Sequence, residues 1–303
     1  MTIYKDLKTT NRTIGSGIDV SSGTIKLDGN YPTGTNNVAL GNGALDSIEA
    51  TADQNVAIGA NALTSNTTAD RNVAIGYNAF SSNTTGERGT AVGWCALACN
   101  TDARQNIGVG YVSLYRNTTG EFNTSVGSAS LSSNTTADYN VGVGYQSLNG
   151  NTIGANNTAV GSQSLKANTE GGGNTAMGLC ALNANISGDQ NVAIGLNAMQ
   201  DNTTASNNTA VGFRAMDKNT TGTNNVGIGH DAMRCNISAS NNTAVGVCSL
   251  YTNTTGTNNT AVGKHALCAN NDGSNNTALG FESLKASVNG DNTGLGYLSL
   301  KVN

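Results

Sequence analysis

The chain repeats one phrase every 17 residues, and that period limits its fold more than any other feature. Counting from Asn55, the phrase reopens at Asn72, Gly89, Asn106, Asn123, Asn140, Asn157, Asn174, Asn191, Asn208, Asn225, Asn242, Asn259 and Asn276. One 18-residue step from Asn37 precedes this series and one 16-residue step to Asn292 follows it, giving sixteen copies over residues 37–303. Self-similarity at a fixed short period is the mark of a stacked repeat architecture, in which each unit covers its neighbour's apolar face.

Each column of the repeat has its own chemistry. The second position is Val, Ile or Thr, and the third and eighth are Ala, Gly or Ser. The fourth is aliphatic and the ninth is Leu, Phe or Met. The fifth is always Gly: Gly41, Gly59, Gly76, Gly93, Gly110, Gly127, Gly144, Gly161, Gly178, Gly195, Gly212, Gly229, Gly246, Gly263, Gly280 and Gly296. A glycine never replaced within one molecule implies positive φ or a close backbone approach, so these are read as structural corner glycines. The twelfth position is nearly always Asn, followed by a Thr-rich polar segment.

Seventeen residues are too few for a helical hairpin, and Gly, Asn and β-branched residues disfavour helix. The unit instead fits one coil of an all-β parallel β-solenoid, or β-roll. The reading is a short strand over "NTAVG", a Gly corner, a second strand over "xAL" and a polar turn over "NTTGxN". The fourth and ninth columns are expected to supply the aliphatic ladders of the core, with the small third and eighth columns giving thin walls. Sixteen coils at the inter-strand spacing make a rod about 75 Å long. Residues 1–36 fall outside the repeat and are read as an N-terminal cap or attachment segment; residues 37–303 are the β-solenoid domain. The C-terminal "YLSLKVN" stops within a coil, and an open edge of this kind invites another chain.

The composition excludes several classes of function. Only 11% of residues are charged, the net charge is −4, and the 15 Lys and Arg are scattered, so no phosphate-neutralising surface exists for nucleic acid. No segment has the length or apolarity of a membrane span, and the N-terminus lacks the apolar core of a secretory signal. No cofactor-binding motif is present: "VGVG" and "IGVGY" are repeat corners without the strand–loop–helix context of a phosphate loop. No metal site is expected either. His230 and His265 lie two coils apart, and the six cysteines (Cys95, Cys99, Cys180, Cys235, Cys248 and Cys268) show no zinc spacing. The cysteines are read as free thiols of a reducing compartment.

Three surface features remain. Asp53, Asp70, Glu87, Glu121 and Asp138 recur at the sixteenth position and are read as a solvated edge. Asn-x-Thr sequences such as Asn66-Thr67-Thr68 are read as turn chemistry, with Asn in the left-handed region and with stacked Asn and Thr able to form hydrogen-bonded ladders. The sixth position carries Tyr77, Trp94, Tyr111 and Tyr145, then Phe213, Phe281 and Tyr297, in a chain with 5% aromatic residues. Tyr77, Trp94, Tyr111 and Tyr145 are candidate glycan-binding residues, since exposed rings offer rigid area for stacking on sugars; packing between subunits is the alternative.

"NVAIGANAL", "NVAIGYNAF" and "NVGVGYQSL" resemble the head repeats of trimeric autotransporter adhesins. They are still more similar to the Gly/Asn/Thr repeats of structural and tail-fibre proteins of tailed phages, especially marine cyanophages. The lead-in "SGTIKLDGNYPTGTNNVALGNGALD" is similar to the start of such phage repeats. The resemblance implies a left-handed β-roll packed as a homotrimer. It also implies a non-enzymatic virion structural protein, assembled in the host cytoplasm, forming a fibre or appendage. Other virion proteins at one or both ends and host surface polysaccharide are the implied partners. An adhesin-type or ice-binding solenoid and a glycan-cleaving tailspike remain as alternatives. A tailspike needs paired carboxylates across a groove, and the acids here are sparse.

Overall fold

The computed structural model describes residues 34–287 and 289–301, so residues 1–33 of the expected N-terminal cap lie outside the described residues. Sixteen strands of three residues run from β1 (Val38–Leu40) to β16 (Thr293–Leu295), and no described residue is helical. Each strand pairs in parallel with the next, so strand order along the sheet equals chain order. The molecule is a parallel β-solenoid.

Register follows the repeat columns. Thr158 pairs with Thr175, Ala159 with Ala176 and Val160 with Met177. The same match survives the irregular steps, with Val38 opposite Val56 and Thr277 opposite Thr293. The extra residue of the first coil and the missing residue of the penultimate one are therefore absorbed in turns. A slip in the strand would have reversed its inward and outward faces.

Only one wall is a β-sheet. The expected second strand over "xAL" is absent; that segment forms consecutive turns. In the coil from Asn157, the seventh and ninth residues, Gln163 and Leu165, have φ of 58° and 48°. This left-handed geometry turns the seventh and ninth amides in opposite directions along the rod. Gln163 donates its N–H to Tyr145 O one coil back (2.8 Å), and Leu165 donates to Ala181 O one coil forward (3.0 Å). The wall is thus bonded between coils without extended backbone. Leu at positive φ is strained, by about 1–2 kcal/mol per residue. Full burial of the same side chain contributes about 1.5–3 kcal/mol and offsets that strain.

The core is narrower and more polar than the sequence suggests. The ninth column (Leu45 and Leu63 through Leu284) is fully buried, with the small third and eighth columns packed against it. The fourth column is not in the core: Leu40, Ile58, Ile75, Met177, Ile194 and Leu279 are exposed. Side chains alternate along a strand, so with position three turned inward, positions two and four must turn outward. Alanine at position three leaves room for the ninth-position Leu of the opposite wall.

Asparagine fills the remainder of the interior. Asn55, Asn66, Asn72 and Asn83 have no exposed surface, and the same holds for their counterparts along most of the rod. Asn72 Nδ2 and Asn83 Nδ2 both donate to Gly86 O, at 2.8 and 3.0 Å. Asn72 Oδ1 accepts the backbone N–H of Gly89 in the next coil, at 2.7 Å. These two ladders pair buried backbone groups that the sheet does not reach, as interior polar groups require. The expected Asn/Thr ladders are present, but the twelfth-position Asn is interior and is not among the residues with positive φ. That ladder stops at Asn270, whose buried Oδ1 has no partner because Ser287 occupies the next twelfth position.

Candidate functional site

The Gly corner places the sixth residue outside the rod. Every fifth-position Gly has φ between 107° and 141°, as the sequence anticipates. A Cβ on Gly161 would sit 2.5 Å from Gly178 O in the next coil, so bare backbones stack at this corner. The chain then leaves the sheet, and the sixth side chain projects into solvent beside its equivalents in neighbouring coils.

Tyr77, Trp94 and Tyr111 form one continuous stack. Their ring centroids lie 6.1 and 5.1 Å apart, with interplanar angles of 18° and 14°. All three rings are about half exposed. Stacking covers the faces they turn toward one another, so Trp94 offers mainly an edge. Free faces remain at the two ends, because the neighbouring sixth positions are Ala60 and Ser128. Tyr145 does not join the stack. It stands two coils beyond Tyr111, exposed, with Ser128 and Ser162 as its neighbours in the column. Two inter-strand spacings, about 10 Å, separate the Tyr111 and Tyr145 positions.

A second aromatic pair lies at position seventeen: Phe122 and Tyr139 stack at 4.9 Å and 2°. Their spacing of one full period was the available signal. Both residues are exposed and add apolar surface on a different edge of the coil.

The acidic column is not simply solvated. Asp53 Oδ1 accepts the N–H of Thr35, Asp70 Oδ1 that of Asp53, Asp138 Oδ1 that of Glu121 and Asp189 Oδ1 that of Gly172, each at 2.7 Å. In later coils Ser206, Ser240 and Ser274 accept the equivalent N–H with their hydroxyls. These carboxylates act as caps between coils, bonding an amide the sheet leaves open. The thirteenth-position threonines are similarly engaged: Thr67, Thr118 and Thr135 donate Oγ1–H to the carbonyl of the next coil.

Several ion pairs lie in the C-terminal half. Lys218 Nζ pairs with Asp201 Oδ2 at 2.7 Å, beside a groove of about 400 Å³ lined by Asp201, Lys218, Thr220, Cys235, Ile237 and Thr254. Glu282 is held well below the usual carboxylate range, at about 2, first by its hydrogen bond from Lys285 and then by one from Lys301. All six cysteines are free thiols. Burial pushes up the thiols of Cys95, Cys99, Cys235, Cys248 and Cys268. No described helix is long and apolar enough to cross a membrane.

No known family model matches the chain, and no curated protein is significantly similar to it. Its class is therefore defined by architecture: a parallel β-solenoid with a polar-laddered core, an outward aliphatic column and an exposed aromatic column.

Proposed function

We propose that this chain is a virion structural protein of a tailed phage, forming a non-enzymatic rod in a fibre or appendage. The rod works as a homotrimer, is assembled in the host cytoplasm, is joined by other virion proteins and contacts host surface polysaccharide. The virion assignment rests on the resemblance of the repeat phrases. The observation that carries the structural role is the outward fourth column, an aliphatic ladder running from Leu40 to Leu295 along one face of the sheet.

An exposed apolar strip of that length needs a cover. A partner that follows it coil by coil must carry apolar groups at the same inter-strand spacing, and a further copy of this chain does so. From Ala57 onward the third column is buried inside the single chain, so it is the second and fourth columns that face the partner copies. Cyclic symmetry closes such an interface without leaving an unsatisfied face.

Glycan contact is assigned to the sixth column, chiefly to the free faces of Tyr111 and Tyr145. The gap of about 10 Å over Ser128 admits one sugar ring between two aromatic faces. The non-enzymatic reading is supported by the use of the sixteenth-position carboxylates as caps between coils.

Light scattering on the full chain should give three times 30.6 kDa. The double variant Met177→Lys/Ile194→Lys should reduce that mass to one chain while keeping the β-rich circular dichroism. A folded wild-type monomer at micromolar concentration would overturn the trimer. Antibody labelling of particles should decorate a fibre or appendage; label confined to the capsid interior would overturn the virion role. Tyr111→Ser/Tyr145→Ser should abolish adsorption to the host with the mass unchanged, whereas normal adsorption would remove the glycan assignment.

A further inference from the structure

Stacking brings together three side chains whose sequence spacing gives no warning of a site. His230 is at position six of the coil opening at Asn225, Asp231 is at position seven, and Cys248 is at position seven of the next coil. His230 Nδ1 lies 3.1 Å from Asp231 Oδ2. One nitrogen, one carboxylate oxygen and one sulfur from these residues all lie within 4.8 Å of one another. We propose that His230, Asp231 and Cys248 form a binding site for a divalent cation of the zinc class.

The donor set fits that ion. Imidazole, carboxylate and thiolate are the three side-chain ligands zinc accepts, at about 2.0–2.3 Å. Tetrahedral geometry at those lengths places donors roughly 3.3–3.8 Å apart, so a small rotamer adjustment closes the triangle around an ion. Calcium and magnesium, which demand oxygen ligands, do not suit a thiolate and an imidazole.

The backbone holds the donors in place. Cys248 donates its N–H to His230 O at 2.9 Å, tying the two coils at the site. Asp231 donates its N–H to Phe213 O at 2.9 Å. Asp231 and Cys248 have φ of 53° and 51°, the same left-handed setting, so their side chains leave the coil in the same direction. The His230 ring packs on Phe213 at 5.0 Å, which limits its rotation. Arg234 Nε stands 3.8 Å from Asp231 Oδ1, orienting the carboxylate from its far side.

Asp231 Oδ1 is buried and makes no hydrogen bond, its charged neighbour being Arg234 on the far side, so Oδ2, beside His230, is the oxygen that would ligate the ion. A cation held among the three side chains would give the Asp231 carboxylate a second positive partner, on the side away from Arg234. On binding, the sulfur–metal bond forms as the Cys248 S–H proton passes to solvent, and the charge on the ion replaces that proton. His230 is half exposed, so the fourth coordination position opens outward to water or to a donor from a neighbouring molecule.

The test is a titration of the full chain, kept reduced, with Co²⁺ and then Zn²⁺. Wild type should bind one Co²⁺ per chain, with a near-ultraviolet sulfur-to-cobalt charge-transfer band and tetrahedral visible bands, both removed by Zn²⁺. Cys248→Ser should abolish the charge-transfer band. His230→Ala and Asp231→Asn should each weaken binding by at least about tenfold, the scale on which even the partners of metal ligands act. Cys235→Ser and Cys268→Ser should leave the spectrum intact. Circular dichroism should show every variant folded. No charge-transfer band at millimolar Co²⁺, or a band that survives Cys248→Ser, would overturn the site and leave His230 and Asp231 as a hydrogen-bonded pair.

Discussion

Asn151 Nδ2 donates to Asn134 Oδ1 across 2.9 Å, and that bond repeats from coil to coil as a ladder in the interior of the rod. The same Nδ2 also donates to Gly154 O at 2.9 Å, while Asn151 Oδ1 accepts from Asn168 Nδ2 at 2.8 Å. An amide is the only side-chain group of this size that both donates twice and accepts here.

Asn151→Asp should therefore be severely destabilising. The carboxylate removes both donors and places an unpaired charge in the core, at a cost of about 3 kcal/mol or more. Asn156→Asp, on the outer turn of the same coil, should change stability by less than about 0.5 kcal/mol. Equal denaturation midpoints for the two variants would remove the ladder from the list of stabilising interactions.

Gly161→Val should disrupt assembly or cost several kcal/mol. Its φ is 135°, and the added Cβ would press on the backbone of Gly178. A β-branched residue cannot adopt that backbone without strain, and the next coil cannot retreat without breaking the sheet. Thr203→Ala removes only the bond from Thr203 Oγ1 to Thr220 O, at 3.1 Å, and should cost about 1 kcal/mol. A melting temperature for Gly161→Val equal to that of wild type would contradict the corner assignment.

The contrast between these positions shows what the sequence carries. Stacking of equivalent residues, the Gly161 corner and the Leu165 ladder follow from the period alone, because a fixed repeat leaves one register. The outward turn of Val160 does not follow. A three-residue strand holds a single alternation, and apolar size suggests Val160 for the core where Ala159 is found. Left-handed Leu165 is equally hidden, since bulky residues rarely take positive φ and do so here only because each coil imposes it on the next. Asn151 reads as a turn residue because Asn-Thr usually is one. The proximity of Cys248 to His230 is one period plus one residue, a diagonal that acquires meaning only once the register is known.

The thiols should remain free under native conditions. Near six should titrate per denatured chain, matching the six cysteines, and reducing agent should leave stability unchanged. Burial raises five of the six, which slows their oxidation because the thiolate is the reactive form. Intact-mass measurement before and after alkylation checks this; a native intrachain disulfide would contradict it.

Acid should loosen the C-terminal coils through Glu282. Its carboxylate pairs with Lys285 Nζ at 2.7 Å and Lys301 Nζ at 2.9 Å, with His265 Nδ1 at 3.5 Å. These contacts lower it from 4.5 to about 2, so between those values the folded chain keeps the charge while the unfolded chain takes up a proton. The unfolded state binds more protons there, and stability must fall as pH falls. The contribution is fully present above about pH 4.5 and lost by about pH 2. Salt should shrink it only in part, because Glu282 is buried and screening reaches the pairs through the more exposed Lys285 and Lys301. Hydrogen exchange over residues 276–301 should therefore accelerate between pH 5 and pH 2.5 once the intrinsic pH dependence of exchange is divided out. Glu282→Gln should exchange faster than wild type at pH 6 and converge with it near pH 2. A difference between the two that stays constant across this range would assign the effect to packing of the side chain and not to its charge.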